Sequence, residues 1–81
     1  MQVRVRLGAG LTGLGAAPTL TVELADDATV ADLVARLRAT EPELAPALRS
    51  ALPVVGGEHA APERPLAHRQ EVALLLPLSG G

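Results

Sequence analysis

Apolar and polar residues alternate from the first position, with Met1, Val3, Val5 and Leu7 set against Gln2, Arg4 and Arg6. A period of two puts the apolar set on one face of a β-strand. The pattern returns at Leu20, Val22 and Leu24, against Thr19, Thr21 and Glu23. Between the two runs lies a segment carrying Gly8, Gly10, Gly13 and Gly15 and ending at Pro18, so the spacing predicts an antiparallel hairpin with a long connection. The alternation stops at Asp26-Asp27-Ala28. Thr29 followed by Asp32 then forms the pattern of a capping box, with Asp in place of the usual Glu or Gln. Val30, Leu33, Val34 and Leu37 follow at i, i+3, i+4 and i+7, one stripe on a helix. Pro42 disfavours helix at Glu41 and predicts an end near Thr40.

Beyond the helix, the segment PELAPALRSAL predicts a further short helical turn, made irregular by Pro46. Two short strands are expected around Gly56-Gly57, a pair that supplies the positive φ values of a tight hairpin. Leu66 is an isolated apolar anchor, and Glu71 to Leu76 is the last strand, with Val72, Leu74 and Leu76 on one face. Residues 1–76 thus form one domain, followed by a tail at 77–81. The smallest arrangement that buries all these stripes is a single sheet with one amphipathic helix on its apolar face. A right-handed crossover through the helix lets the last strand pair parallel with the first, near the sheet centre. The fold class expected is α+β, a β-grasp: a mixed sheet of four to five strands on one main helix, in ββαββ order.

Composition narrows the chemistry. The chain has 81 residues, 48% of them apolar, but it has no aromatic residue and no cysteine. Leu, Val and Ala therefore build a thin core, and a domain of this size buries only a little over ~60% of the surface of its unfolded chain. Without cysteine there is no disulfide framework, no cysteine-based zinc site and no thiol nucleophile in the chain itself. A formal net charge of −2, with no basic cluster and no ring to stack on a base, argues against direct nucleic-acid binding. All seven cations are arginines, so the chain offers no lysine ε-amine for a Schiff base or for attachment of another protein. Arg4 and Arg6 followed by a glycine-rich stretch imitate a signal peptide poorly, because valines alternate with the arginines and glycines interrupt the apolar run. No stretch approaches the ~18 consecutive apolar residues of a membrane span, and the cytoplasm is the expected compartment.

Candidate catalytic patterns are weak. Gly8-x-Gly10-x-x-Gly13 has the spacing of a dinucleotide fingerprint, but a second strand follows it where a helix is required. His59 and His68, the only histidines, lack companions at metal-ligand spacing and read as surface residues. Asp26 and Asp27 are accounted for by the positive end of the following helix. No Ser/His/Asp constellation has a supporting local motif.

What remains is the ending, LLLPLSGG. Gly80 and Gly81 lack Cβ atoms and can thread a narrow channel, Pro77 stiffens the exit from the sheet, Ser79 is small, and the α-carboxylate of Gly81 is the reactive group at the tip. Leu75 alternates to the face opposite Leu74, beside the outward Arg4 and Arg6, and Leu78 lies on the tail. Leu75, Arg4 and Arg6 are therefore candidate partner-docking residues, although cover of Leu75 by the rest of the chain is the competing reading.

These residues resemble the MoaD/ThiS family of ubiquitin-like sulfur carriers over nearly the whole chain. VRVRL is similar to the family's first strand, TVELADDATVADLVARLRATEPEL to its second strand, "TV-x-DL" helix and following "PEL", and RPLAHRQEVALLLPLSGG to its "PL-x-DGDEVALLPPVSGG" ending. The chain departs from the pattern in having GAGLTGLG where the family often has aromatic residues and "FA-x-LRE", GGEH for "NGE", and HRQ for "DGD". The resemblance implies a carrier, not an enzyme by itself. An E1-like adenylyltransferase of the MoeB/ThiF type would activate Gly81 using ATP, with no cofactor or metal bound by the carrier. The resulting thiocarboxylate would donate sulfur inside a partner, with Pro77, Leu78, Ser79 and Gly80 threading that partner's active site. The proline of the tail favours the molybdopterin branch, where the partner is a large synthase subunit of the MoaE type. Thiamine thiazole formation, tRNA thiolation, another thio-metabolite and conjugation as a ubiquitin-like modifier stay open, as does an interaction module with an inert tail.

Overall fold

The computed structural model describes residues 1–8 and 19–75. Strand β1 (Gln2–Leu7) pairs antiparallel with β2 (Thr19–Glu23), Val3 facing Val22 and Val5 facing Leu20. The main helix α1 (Val30–Thr40) follows, then a 3-10 turn at Pro42–Leu44 that runs into one turn of α-helix, α2 (Ala45–Leu48). Strands β3 (Leu52–Val55) and β4 (Glu58–His59) form a short hairpin, and β5 (Glu71–Leu75) closes the sheet. The sheet order is β2-β1-β5-β3-β4. β5 is central, parallel to β1 and antiparallel to β3. This is the expected β-grasp, with five strands.

Period two decides which face is buried. In β1 the valines and Leu7 are buried and Gln2, Arg4 and Arg6 exposed; in β5 Val72 and Leu74 are buried. The inner face meets Val30, Leu33 and Leu37 of α1. Thr29 caps that helix: its Oγ1 accepts from the Asp32 N–H at 3.4 Å, and the Asp32 carboxylate accepts from the Thr29 N–H at 2.9 Å, so two otherwise orphaned amides are satisfied.

Several local details differ from the expectations. Leu24 falls just beyond β2; its N–H donates to the Met1 carbonyl at 2.8 Å, and its side chain packs on the core as a partly buried residue. The irregular segment after α1 is a structural element in its own right, because Leu44 and Leu48 are both buried in the core. The two prolines shorten its helices but leave these leucines four apart, on one side. Asp26 does not serve the helix end: its carboxylate lies 3.3 Å from the Met1 ammonium, and the acid of the first turn is Asp32. Gly56 and Gly57, at φ 61° and 81°, form the two-residue hairpin turn as expected, a conformation that disfavours any side chain.

The glycine-rich connection from Ala9 to Pro18 lies outside the described residues, as do Leu76 and the tail residues Pro77, Leu78, Ser79, Gly80 and Gly81. The boundary expected between domain and tail at 76/77 falls among them.

Candidate functional site

The outer face of the sheet is the region the sequence reading singled out, and β5 organises it. Leu75 is 42% exposed and points away from the helix, whereas Leu74, one residue earlier, is completely buried. Register places Leu52 directly opposite Leu75 across the β3/β5 ladder, and Leu52 is 41% exposed. Next along the same two strands, Val54 faces Ala73, both half-buried. Four apolar residues therefore form a continuous strip beside the end of β5. Leu52 was missed in the sequence because its exposure matters only through the pairing with Leu75, and that register spans residues far apart in the chain.

The arginines flank this strip. In the parallel β1/β5 ladder Arg4 pairs with Glu71 and Arg6 with Ala73. Arg6 lies 3.6 Å from the Glu71 carboxylate, and both side chains are more than half exposed. Gly8 continues the outward row of β1, its N–H donating to the Leu74 carbonyl at 2.9 Å. Arg4, Arg6 and Leu75 are thus brought onto one surface, next to the point where the chain leaves β5. A shallow hollow lined by Val54, Gly56, Gly57, Glu71 and Ala73 adjoins the strip. Such a surface can bind a partner that offers apolar side chains ringed by acceptors for guanidinium groups.

Of the two histidines, His59 borders the apolar strip and His68 lies away from it. His59 pairs with Val54 at the edge strand β4, and His68 sits in the turn before β5. Both are exposed. His68 also has a structural contact that its sequence context did not announce, since its Nδ1 accepts the Gln2 N–H at 3.0 Å. The neighbouring Arg69 takes φ +67°, and its N–H donates to the Gln2 carbonyl at 2.6 Å. Among the described residues no polar or charged residue is buried, and no group of three or more His, Cys, Asp and Glu could hold a metal ion. The dinucleotide-like glycine spacing runs from Gly8 into residues outside the described ones.

Residues 12–81 match the pattern of the ThiS family. The chain belongs to the ThiS family. It is a member of the ubiquitin-like sulfur carriers and modifiers, whose small carrier subunits are not catalytic by themselves. No curated protein matches it. Among solved structures, this ThiS-family chain is similar to the small archaeal modifier protein SAMP1 of Haloferax volcanii, with 28% identity, a TM-score of 0.86 and 100% of both chains covered. Subunit 1 of the molybdopterin-converting factor of Helicobacter pylori, solved in complex with subunit 2, superposes with a TM-score of 0.74 at 23% identity over 100% of both chains. The ubiquitin of Caldiarchaeum subterraneum gives a TM-score of 0.69 at 17% identity, over 100% of this chain and 98% of that one. No helix among the described residues is long and apolar enough to cross a membrane.

Proposed function

We propose that the protein is a sulfur carrier whose Gly81 carboxylate is activated and converted to a thiocarboxylate. The observation that carries the reading is the exposed Leu75–Leu52 pair at the end of the central strand, on the surface of a ThiS-family chain that ends in Gly80-Gly81. A carboxylate is a poor electrophile, so sulfur cannot displace its oxygen directly. One Gly81 oxygen attacks the α-phosphorus of ATP on an E1-like enzyme, pyrophosphate leaves, and a mixed anhydride forms. Hydrosulfide then attacks the carbonyl carbon, AMP departs with the former carboxylate oxygen, and the proton passes to solvent. The outer strip with Arg4 and Arg6 holds the carrier on its partner, while Pro77, Leu78, Ser79 and Gly80 present a chain thin enough to enter the partner's active site.

The pathway that fits best is molybdopterin formation, with a large synthase subunit as the second partner. The proline in LLLPLSGG supports it, and the fold shared with subunit 1 of the molybdopterin-converting factor is compatible with it. Incubation with a cognate E1-like enzyme, ATP and sulfide is expected to add the mass difference of sulfur for oxygen at the C-terminus, and a chain lacking Gly81 stays unchanged. An unmodified wild type, beside an enzyme shown to activate another carrier, sinks the proposal.

A second reading is favoured by the 28% identity with SAMP1, a protein named as a modifier. In it the same adenylate is attacked by a lysine ε-amine of another protein, AMP leaves, and an isopeptide bond forms. C-terminal remnants of this chain on the lysines of cellular proteins, absent when Gly81 is removed, would select that reading.

A further inference from the structure

Gly8 follows β1 and lies on the outward row Arg4, Arg6, Gly8, alongside Glu71, Ala73 and Leu75 of β5. Its backbone is not what demands glycine. The glycines with positive φ among the described residues are Gly56 and Gly57, so the main chain at Gly8 accepts an ordinary L-residue. Space is where it differs from an ordinary residue. A Cβ added at Gly8 would lie 2.7 Å from Cδ2 of Leu75 and 3.2 Å from the Leu74 carbonyl oxygen. Carbon atoms pack best at about 3.5–4.0 Å, so the first contact is a clash. The clashing atom is the end of a flexible side chain, and Leu75 is the group that must move.

We infer that Gly8 is a positioning residue of the docking face: the side chain it lacks is the space into which Leu75 lies back, beside Leu52 and at the root of the tail. A residue with a Cβ at position 8 turns Leu75 away from the end of β1 and changes the apolar contour at the end of β5. The choice of residue 8 thereby selects which partner surface fits. Gly8 itself donates only its amide, to Leu74, and touches no reacting atom. The inference rests on the sulfur-carrier reading in so far as the partner is the activating enzyme.

The test compares wild type, Gly8→Ala, Leu75→Ala and the double variant in ATP–pyrophosphate exchange by a cognate E1-like enzyme, with NMR of each free chain. In the wild type a cross-peak is expected between the Gly8 Hα and a Leu75 methyl group. Gly8→Ala should raise KM about three- to tenfold at unchanged kcat, the scale of perturbing one anchoring contact. In the Leu75→Ala background the same substitution should alter KM by less than about twofold, because the two residues act as one unit. An equal KM penalty in both backgrounds, an equal loss of melting temperature in both, or no penalty in either overturns the inference while leaving the carrier reading intact. A wild type that the enzyme does not activate overturns both. If Gly8→Ala does not fold, titration of labelled wild type with the enzyme decides: Gly8 amide and Leu75 methyl signals that shift together support the inference, and an unperturbed Leu75 overturns it.

Discussion

Leu74 and Leu75 are the same side chain one residue apart on one strand, and they do opposite work. Leu74 points into the sheet-helix interface and is fully buried; Leu75 points outward and keeps 42% of its surface. The contrast extends to the two faces they belong to. The inner face is uniformly aliphatic, with Val3, Val5, Leu7, Val72 and Leu74 against Leu33 and Leu37. The outer face is mixed, with arginines, acids, a glycine and two exposed leucines. In a chain with so thin a core, leaving some two-fifths of a leucine open to water forgoes about 1 kcal/mol, and two such leucines side by side make a patch suited to cover by a partner.

The sharpest way to break that contrast is to truncate both leucines. Leu74→Ala should lower unfolding free energy by about 3 kcal/mol, combining lost transfer energy with a cavity that the packed sheet and helix cannot close. Leu75→Ala should cost no more than about 1 kcal/mol, because it deletes contacts already half open to water. Urea denaturation of both variants checks this. Equal losses would mean that the outer face is a second core, and the docking reading would fall.

The helix cap offers a smaller and more selective lever. Thr29→Ala removes the hydroxyl that accepts the Asp32 amide, and should cost about 1 kcal/mol. Since α1 covers only the inner face, the loss should appear in stability and leave partner activation unchanged once the chain is folded. A variant that lost activation at full folding would show the two faces to be coupled.

How much of this was legible in the sequence follows the range of the interactions. The strands, the capped helix and the inner face were readable because their signals are local and periodic: two along β1, β2 and β5, 3.6 along α1. Leu44 and Leu48 escaped as core residues because Pro42 and Pro46 leave too few residues between breaks for a period to show. The outward Leu75 was visible, but its partner Leu52 and its neighbour Gly8 were not. Each is defined by strand register or by the approach of backbones distant in sequence, which composition does not encode. Arg69 is intermediate. The resemblance places it at the glycine of "DGD", and only the structure shows that it does adopt φ +67° there.

That angle yields a gain rather than a loss. A left-handed non-glycine residue costs about 1–2 kcal/mol, offset in glycine's case by the extra entropy of the unfolded chain, about 0.5–1 kcal/mol. Arg69→Gly should therefore stabilise by about 0.5 kcal/mol, read as a raised urea midpoint. The turn is held by bonds that the substitution keeps: the Arg69 N–H to Gln2, and the Ala67 N–H to Oε1 of Gln70 at 2.9 Å. An unchanged or reduced midpoint would mean that the Arg69 side chain contributes contacts at the margin of the outer face that outweigh the strain.

The smallest effect expected lies beside the apolar strip of the outer face. Arg6 and Glu71 approach to 3.6 Å with side chains 68% and 52% exposed, and water screens such a pair. A double-mutant cycle with Arg6→Ala and Glu71→Ala should give a coupling of under about 0.5 kcal/mol in stability, shrinking further at high salt. The pair is thus nearly free to exchange partners: an acid on a docking protein can take Arg6 from Glu71 at little cost to the fold. The same cycle measured in partner activation should show Arg6→Ala raising KM, and Glu71→Ala leaving it unchanged or lowering it by releasing the arginine. If both substitutions leave KM where it was, the arginines are solubility charges and the docking face shrinks to its leucines.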